Sequence, residues 1–119
     1  MSEELVWGVK NGDIDAVKKE IENKKGDINT EVQGRTALHF AADYGQTDVI
    51  TCLLDNGADI NKPDKHGISP LLAAIWENHT DAVKLLLERG ASKEGKAPDG
   101  TSYYDCAETD DIKELLKKK

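Results

Sequence analysis

Residues 34–42 read GRTALHFAA and residues 67–75 read GISPLLAAI, so one pattern of small and apolar residues occurs twice, 33 residues apart. The same interval relates Leu53 to Leu86, and a third copy of the pattern begins at Gly100. Repetition with a period of about 20–50 residues is typical of stacked supersecondary units. We therefore divide the chain into four units, namely 1–30, 31–63, 64–96 and 97–119.

Each full unit reads as a helix, a turn, a second helix and an extended loop. Thr36 and Ser69 precede apolar runs, and their hydroxyls can accept hydrogen bonds from the free amides of a first helical turn. Pro70 fits the first position of such a helix, where no amide hydrogen is needed. In the second helix, residues 49–54 (VITCLL) place apolar side chains on one face. The pattern predicts two short helices in each unit.

The first of these helices carries a family signature. Residues 36–41 (TALHFA) resemble the T-P-L-H-x-A motif of the ankyrin-repeat family, whose period is also 33. The resemblance implies an all-α ankyrin-repeat solenoid, in which stacked helix-turn-helix units are joined by β-hairpin loops and two full repeats lie between two degenerate capping repeats. Leu72 stands where the motif has histidine, and residues 92–94 (SKE) replace the usual Asp-Ile-Asn. We therefore expect the hairpin around 59–67 to be more regular than that around 92–100.

The composition agrees with a stack better than with a single compact core. Leu, Ile, Val and Phe number 26 of 119 residues, close to the level below which chains tend to be disordered. No apolar run approaches the ~20 residues of a membrane span, and the first twenty residues lack the apolar segment of a secretory signal. A net charge of −7 argues against direct binding to nucleic acid.

No catalytic or metal-binding constellation is present in the sequence. His39, His66 and His79 lack the short spacing of zinc ligands, and we expect His39, within the signature motif, to hydrogen-bond the backbone of the adjoining loop. Cys52 and Cys106 are too few for a disulfide framework, which predicts free thiols in a reduced compartment. There is no glycine-rich nucleotide-binding loop. These absences predict a protein that is not an enzyme and needs neither cofactor nor metal.

The remaining functional feature is a surface for a protein partner. In ankyrin stacks the hairpin tips and the inner sides of the first helices line the usual contact groove, so the resemblance places the candidate residues there. Large aromatics at such sites are typical binding anchors. We expect this role for Tyr44, leave contact and packing open for Trp76, and expect Trp7 to pack inside the N-terminal unit. The candidate partner-binding residues are Gln33, Arg35, Asp43, Tyr44, Lys65, His66, Trp76 and Glu77.

The charge is distributed unevenly between the two full units. Residues 31–63 contain two cations and five anions, whereas residues 64–96 contain five of each. An acidic surface attracts a basic partner, and the association rate then falls as salt increases. We therefore expect a basic protein surface to dock near the first full repeat.

Four stretches are more specifically similar to a small family member that regulates actin: 7–15 (WGVKNGDID), 38–43 (LHFAAD), 61–66 (NKPDKH) and 98–100 (PDG). This resemblance implies a monomeric cytoplasmic protein, with the nucleus as a second location. It would bind the actin capping protein heterodimer, block its capping of filament barbed ends and so promote filament growth. Two alternatives stay open, an inhibitor of cyclin-dependent kinases and an adaptor in a transcription-associated complex. The small ankyrin inhibitors of those kinases have an irregular first helix in their second repeat, whereas residues 36–44 read as helical here.

Overall fold

The computed structural model describes residues 3–23, residue 28 and residues 31–117. In this part of the chain the helices form four consecutive pairs, each inside one predicted unit; the predicted boundary at residue 30 lies outside the described residues. The helices are α1 (Glu3–Asn11), α2 (Ile14–Asn23), α3 (Ala37–Asp43), α4 (Thr47–Asp55), α5 (Pro70–Trp76), α6 (Thr80–Glu88), α7 (Tyr103–Cys106) and α8 (Asp110–Lys117). The predicted all-α repeat fold is confirmed.

The first helices of the two full units begin as the sequence predicts. The Thr36 hydroxyl accepts from the amide of His39 at 3.4 Å, and the Ser69 hydroxyl accepts from the amide of Leu72 at 3.1 Å. Pro70 is the first residue of α5, so its missing amide hydrogen removes no helical hydrogen bond. A hydroxyl cap therefore fixes where the signature helix starts in both units.

The helix pairs stack in two layers. α1, α3, α5 and α7 contact one another in order along one layer, and α2, α4, α6 and α8 do so along the other, within a body of 40 × 24 × 21 Å. Leu53 in α4 and Leu86 in α6 are fully buried, as their shared register predicts. In the first layer the alanines at 41, 42, 73 and 74 are buried, which lets neighbouring helices approach closely. The apolar core is a continuous strip shared between adjacent units.

Side chains just after the interhelical turns join neighbouring units. Gln46 Nε2 donates to the carbonyl oxygen of Lys10 at 2.9 Å, and His79 Nε2 lies 2.9 Å from the carbonyl oxygen of Asp43. Gln46 and His79 are 33 residues apart, and so are Lys10 and Asp43. Two different side chains therefore make the same contact between units.

The loops between units contain little strand pairing. In the described part of the chain there are two isolated antiparallel bridges and no named strand, the bridges joining Val32 to Arg35 and Lys96 to Ser102. The expectation that the loop at 59–67 would be the more regular hairpin is wrong. In that loop the amide of Asp64 donates to the carbonyl of Ile68 at 2.9 Å, but the amide of Ile68 donates to the Asp64 carboxylate at 3.0 Å and not to the Asp64 carbonyl, so the reciprocal bond of a bridge is not formed.

Candidate partner-binding surface

His39 joins the first full repeat to the second. Its imidazole is completely buried, Nδ1 accepts from the Thr36 amide at 3.2 Å, and Nε2 lies 2.7 Å from the carbonyl oxygen of Ile68. Because the Thr36 amide occupies Nδ1 as an acceptor, Nε2 carries the hydrogen and donates to Ile68. Burial lowers the pKa of His39, although the bond to Ile68 acts in the opposite direction. The predicted bond from His39 to the adjoining loop is confirmed.

Arg35, at the tip of the first described loop, is held by three contacts inside the protein. Its guanidinium lies 3.5 Å from the carboxylate of Asp43, 3.8 Å from that of Asp64 and 5.1 Å from the centre of the Phe40 ring. The Asp64 carboxylate is nearly inaccessible and also accepts the amide hydrogen of His66 at 2.8 Å. Arg35 and Asp43, both predicted partner contacts, are thus paired with each other, and 25% and 29% of their side chains stay exposed.

Lys10 of α1 extends this arrangement to the N-terminal unit. Its ammonium lies 5.3 Å from the centre of the Phe40 ring and 5.7 Å from that of the Tyr44 ring, within the usual range of a cation–π contact. Phe40 is therefore flanked by two cations, Lys10 from the preceding unit and Arg35 from its own. The lysine fixes Tyr44, at the end of α3, relative to α1.

Three large apolar side chains are exposed in the first-helix layer, and we call them the aromatic row. They are Trp7 in α1, Tyr44 after α3 and Trp76 at the end of α5, with exposures of 58%, 47% and 42%. The expectation that Trp7 packs inside the N-terminal unit is wrong. Phe40, at the equivalent position, is covered by Lys10 of the preceding unit, whereas in the described part of the chain no comparable cation lies over the Trp7 ring.

Trp76 combines both roles that the sequence left open. Its side chain lies close enough to Cys106 in the last unit to lower the pKa of that thiol, against the larger, raising effect of burial. A large part of the same ring remains exposed to solvent. Trp76 therefore packs against the next unit and also contributes to the aromatic row.

The other candidates lie at the loop tips or just after α5. Gln33 is exposed and has a positive φ of 56°. Lys65 is exposed too, and its amide donates to the carbonyl of Gly34 at 3.0 Å, which joins the two successive tips. His66 follows at the same tip, and Glu77 is the exposed C-cap of α5. The structure thus brings together Arg35 with Asp43, and the tip at Gln33 with the tip at Lys65.

Acidic side chains continue the surface beyond the aromatic row. Glu77 is followed by Asn78, whose amide donates to the carboxylate of Glu108 in the last unit at 3.1 Å. Asp105 and Glu108 are both exposed. The repeat pattern does not indicate Glu108 as a contact, because only the stacking of α7 and α8 on α5 and α6 places it beside Asn78.

Other kinds of site find no support in the described residues. Within them no group of three or more His, Cys, Asp or Glu side chains could hold a metal ion, and no helix is long and apolar enough to cross a membrane. Cys52 and Cys106 are free thiols. Burial raises the pKa of both, which disfavours the reactive thiolate.

The helix pairs, the hydroxyl caps and the buried histidine agree with a comparison against known families. A family model described as Ankyrin repeats (3 copies) matches residues 5–97. The chain belongs to the ankyrin-repeat family. The family predicted from residues 36–41 is therefore confirmed, and the surface described above is that of a protein-interaction module.

Individual relatives differ in how much of their length they share with this chain. Myotrophin from Xenopus tropicalis is 47% identical over 114 residues, which are 95% of this chain and 96% of that protein. Protein phosphatase 1 regulatory subunit 27 from Mus musculus is 30% identical over 112 residues, 92% and 73% of the two chains. Serine/threonine-protein kinase 12 from Arabidopsis thaliana is 35% identical over 87 residues, but this chain spans 19% of that protein. The predicted similarity to a small family member is confirmed for myotrophin.

Proposed function

We propose that this protein binds the actin capping protein heterodimer in the cytoplasm, as a monomer, and prevents it from capping filament barbed ends. Filaments then continue to grow. The observation that carries the proposal is the 47% identity to myotrophin over nearly the full length of both chains. The stretches at 7–15, 38–43, 61–66 and 98–100 suggest the same partner. Steric inhibition of this kind requires a binding surface and no catalytic group.

The aromatic row supplies the apolar anchors of the proposed interface. Trp7, Tyr44 and Trp76 expose 42% to 58% of their surface, and buried aromatic anchors commonly dominate the energy of a protein interface. Lys10 lies over the Tyr44 ring and Cys106 contacts the Trp76 indole. Both rings are thus partly ordered before a partner arrives, which reduces the entropy lost on binding.

The charge of the proposed interface suits a basic partner. Residues 31–63 carry five acidic against two basic side chains, and Glu77, Asp105 and Glu108 extend the exposed acids toward the last unit. We propose that Glu77, Asp105 and Glu108, at the end of the aromatic row, face the basic, filament-binding surface of capping protein. Electrostatic steering would raise the association rate at low salt, and screening would lower it as salt increases.

Elongation of pyrene-labelled actin from barbed ends in the presence of capping protein tests the proposal. An excess of this chain should restore elongation that capping protein has stopped, and it should change nothing when capping protein is absent. Tyr44→Ala should weaken the inhibition about thirtyfold or more, because truncation of an anchor residue costs about 2 kcal/mol or more.

A matched control separates a contact from a general loss of stability. Lys84→Ala removes an exposed side chain of α6, in the other layer of helices, and should inhibit capping as well as the unchanged protein. If a folded, monomeric chain in excess leaves capping unchanged, the proposal is wrong. Recovery of a cyclin-dependent kinase or of a transcription complex from cell lysate would then favour one of the two alternatives.

A further inference from the structure

The C-terminal end of this acidic protein contains a lysine-rich cleft, distinct from the aromatic row. The cleft has a volume of about 320 Å³ and lies between the turn at 93–96 and the α7–α8 pair. Its walls include Lys93, Glu94 and Lys96, and Tyr104 and Leu116 are its main apolar lining. We call it the basic cleft.

Tyr104 links two pairs of lysines, because it shares the cleft lining with one pair and has the other pair near its ring. Lys93 and Lys96 line the cleft on the side of the turn. Lys113 and Lys117, one helical turn apart on α8, place their ammonium groups 5.7 and 5.9 Å from the centre of that ring. Of these four lysines, only Lys117 forms an ion pair in the described part of the chain, with the exposed Glu114 at 3.8 Å. Of the charged residues that line the cleft two are lysines and one, Glu94, is acidic, in a chain whose net charge is −7.

Contacts with Ser102 and Tyr103 hold the turn at 93–96 in place. Gly95 lies so close to Tyr103 that a Cβ at this position would be 2.5 Å from the phenolic oxygen. The Tyr103 hydroxyl in turn lies 2.7 Å from Ser69 Oγ, the N-cap of α5. The backbone of Lys96 is paired with Ser102 in an antiparallel bridge. The cleft therefore exists before any ligand binds, which favours affinity.

The helix dipole explains only one of these four cations. A lysine in the last turn of α8 offsets the negative partial charge at a helix C-terminus, which accounts for Lys117. Lys113 lies in the first half of α8, and Lys93 and Lys96 are on a separate turn, so these three compensate no helix end. This local excess of positive charge suits an anionic ligand.

The geometry also indicates which anion fits. A phosphoryl group is usually held at one point by an arginine fork, by a helix N-terminus or by a nest of backbone amides. Here the cleft lining has no arginine, and the helix N-terminus in it, at Ser102 and Tyr103, belongs to α7, a single turn whose Asp105 amide already donates to the Ser102 hydroxyl. The lysines of the cleft share its lining with Tyr104 and Leu116. Dispersed cations around an apolar lining suit several carboxylates that flank an apolar side chain.

We propose that the basic cleft binds an acidic peptide segment of a protein partner, with one apolar side chain seated beside Tyr104 and its flanking carboxylates on Lys93, Lys96 and Lys113. This second interaction surface is opposite in charge to the one assigned to capping protein and does not depend on it. The protein would thereby hold a basic and an acidic partner at separate places.

Fluorescence anisotropy with a short labelled peptide of glutamates around a central leucine tests this proposal on the full chain. The peptide should bind, with an affinity that falls as salt rises. Lys96→Gln combined with Lys113→Gln should weaken binding about tenfold or more. The control Lys19→Gln combined with Lys84→Gln changes the net charge equally, at exposed positions of α2 and α6, and should leave the affinity within twofold. Backbone amide shifts caused by the peptide should be confined to 93–104 and 113–117.

Three results would overturn the proposal. The first is no binding of the peptide to the folded protein, and the second is an equal loss of affinity in the control variant, which would indicate a general charge effect. The third is that inorganic phosphate or phosphatidylserine vesicles bind with the same dependence on Lys96 and Lys113 while the peptide does not. None of these results bears on the capping assay, so the two proposals fail separately.

Discussion

The two full repeats, residues 31–63 and 64–96, have matching helices but join their neighbours by different means. In the first, buried His39 donates to the carbonyl of Ile68 in the next unit at 2.7 Å. In the second, Leu72 occupies the equivalent position and is equally buried, and Tyr103 of the last unit reaches back to Ser69 at 2.7 Å. The same repeat architecture thus accepts either a histidine that hydrogen-bonds or a leucine that packs at this buried position. Where leucine is present, Tyr103 of the neighbouring unit supplies a hydrogen bond between the units.

The largest expected effect concerns what the two repeats share. Leu53→Ala and Leu86→Ala each empty a completely buried position between units, so each should lower the free energy of unfolding by about 2–5 kcal/mol. Chemical denaturation measures the loss. In so short a stack either change could unfold the whole array. A loss below about 1 kcal/mol at either site would contradict the burial of equivalent leucines in both repeats.

The next largest effect concerns residue 39, where the two repeats differ. His39→Leu copies the second repeat but leaves the Ile68 carbonyl and the Thr36 amide without their partner, so it should cost about 1–3 kcal/mol. Leu72→Met serves as a control, because a swap of similar volume in a core usually costs less than about 1.5 kcal/mol. If His39→Leu and the unchanged protein are equally stable in urea, the hydrogen bonds of His39 contribute no more to stability than apolar packing would.

Lowering the pH should also distinguish the His39 contact of the first repeat from the apolar Leu72 contact of the second. Burial lowers the pKa of His39, so below the usual value of about 6.5 the unfolded chain binds a proton that the folded chain does not. This contribution to stability is complete above that pH and is lost as the pH falls toward the lowered pKa, with a slope of at most about 1.4 kcal/mol per pH unit for one proton. Urea melts at several pH values should show the slope, and His39→Leu should remove that part of it. An unchanged slope in the variant would assign the acid sensitivity to other groups.

The smallest effect tests the contact that both repeats make with different side chains. Gln46 and His79 each lie 2.9 Å from the equivalent carbonyl oxygen of the preceding unit. His79→Gln should therefore change stability by less than about 0.5 kcal/mol, whereas His79→Ala should cost about 1 kcal/mol because a hydrogen bond is lost. Thermal unfolding of both variants gives the comparison. If glutamine is as destabilising as alanine, the two contacts are not interchangeable.

Much of the candidate surface followed from register alone. The register places Tyr44 and Trp76 at the ends of the signature helices of adjacent repeats, and both are exposed. Register failed for Trp7, because its equivalent Phe40 is covered by Lys10 of the preceding unit and by Arg35 of its own. It also gave no indication that Arg35 would pair with Asp43 and Asp64. Whether a repeat position is exposed depends on side chains of neighbouring units, which the period does not specify.

The sequence by itself determined the period, the helix starts at Thr36 and Ser69, and the burial of Leu53 and Leu86. These follow from local hydrogen bonding and from apolar spacing within one unit, and a repeat reproduces them in the next unit. Only the tertiary structure decided the exposure of Trp7, the pairing of Arg35 with Asp43 and Asp64, and the meeting of two pairs of lysines at Tyr104. Each of these features depends on side chains from turns or helices that are separate in sequence, and their distances are fixed only when the units stack.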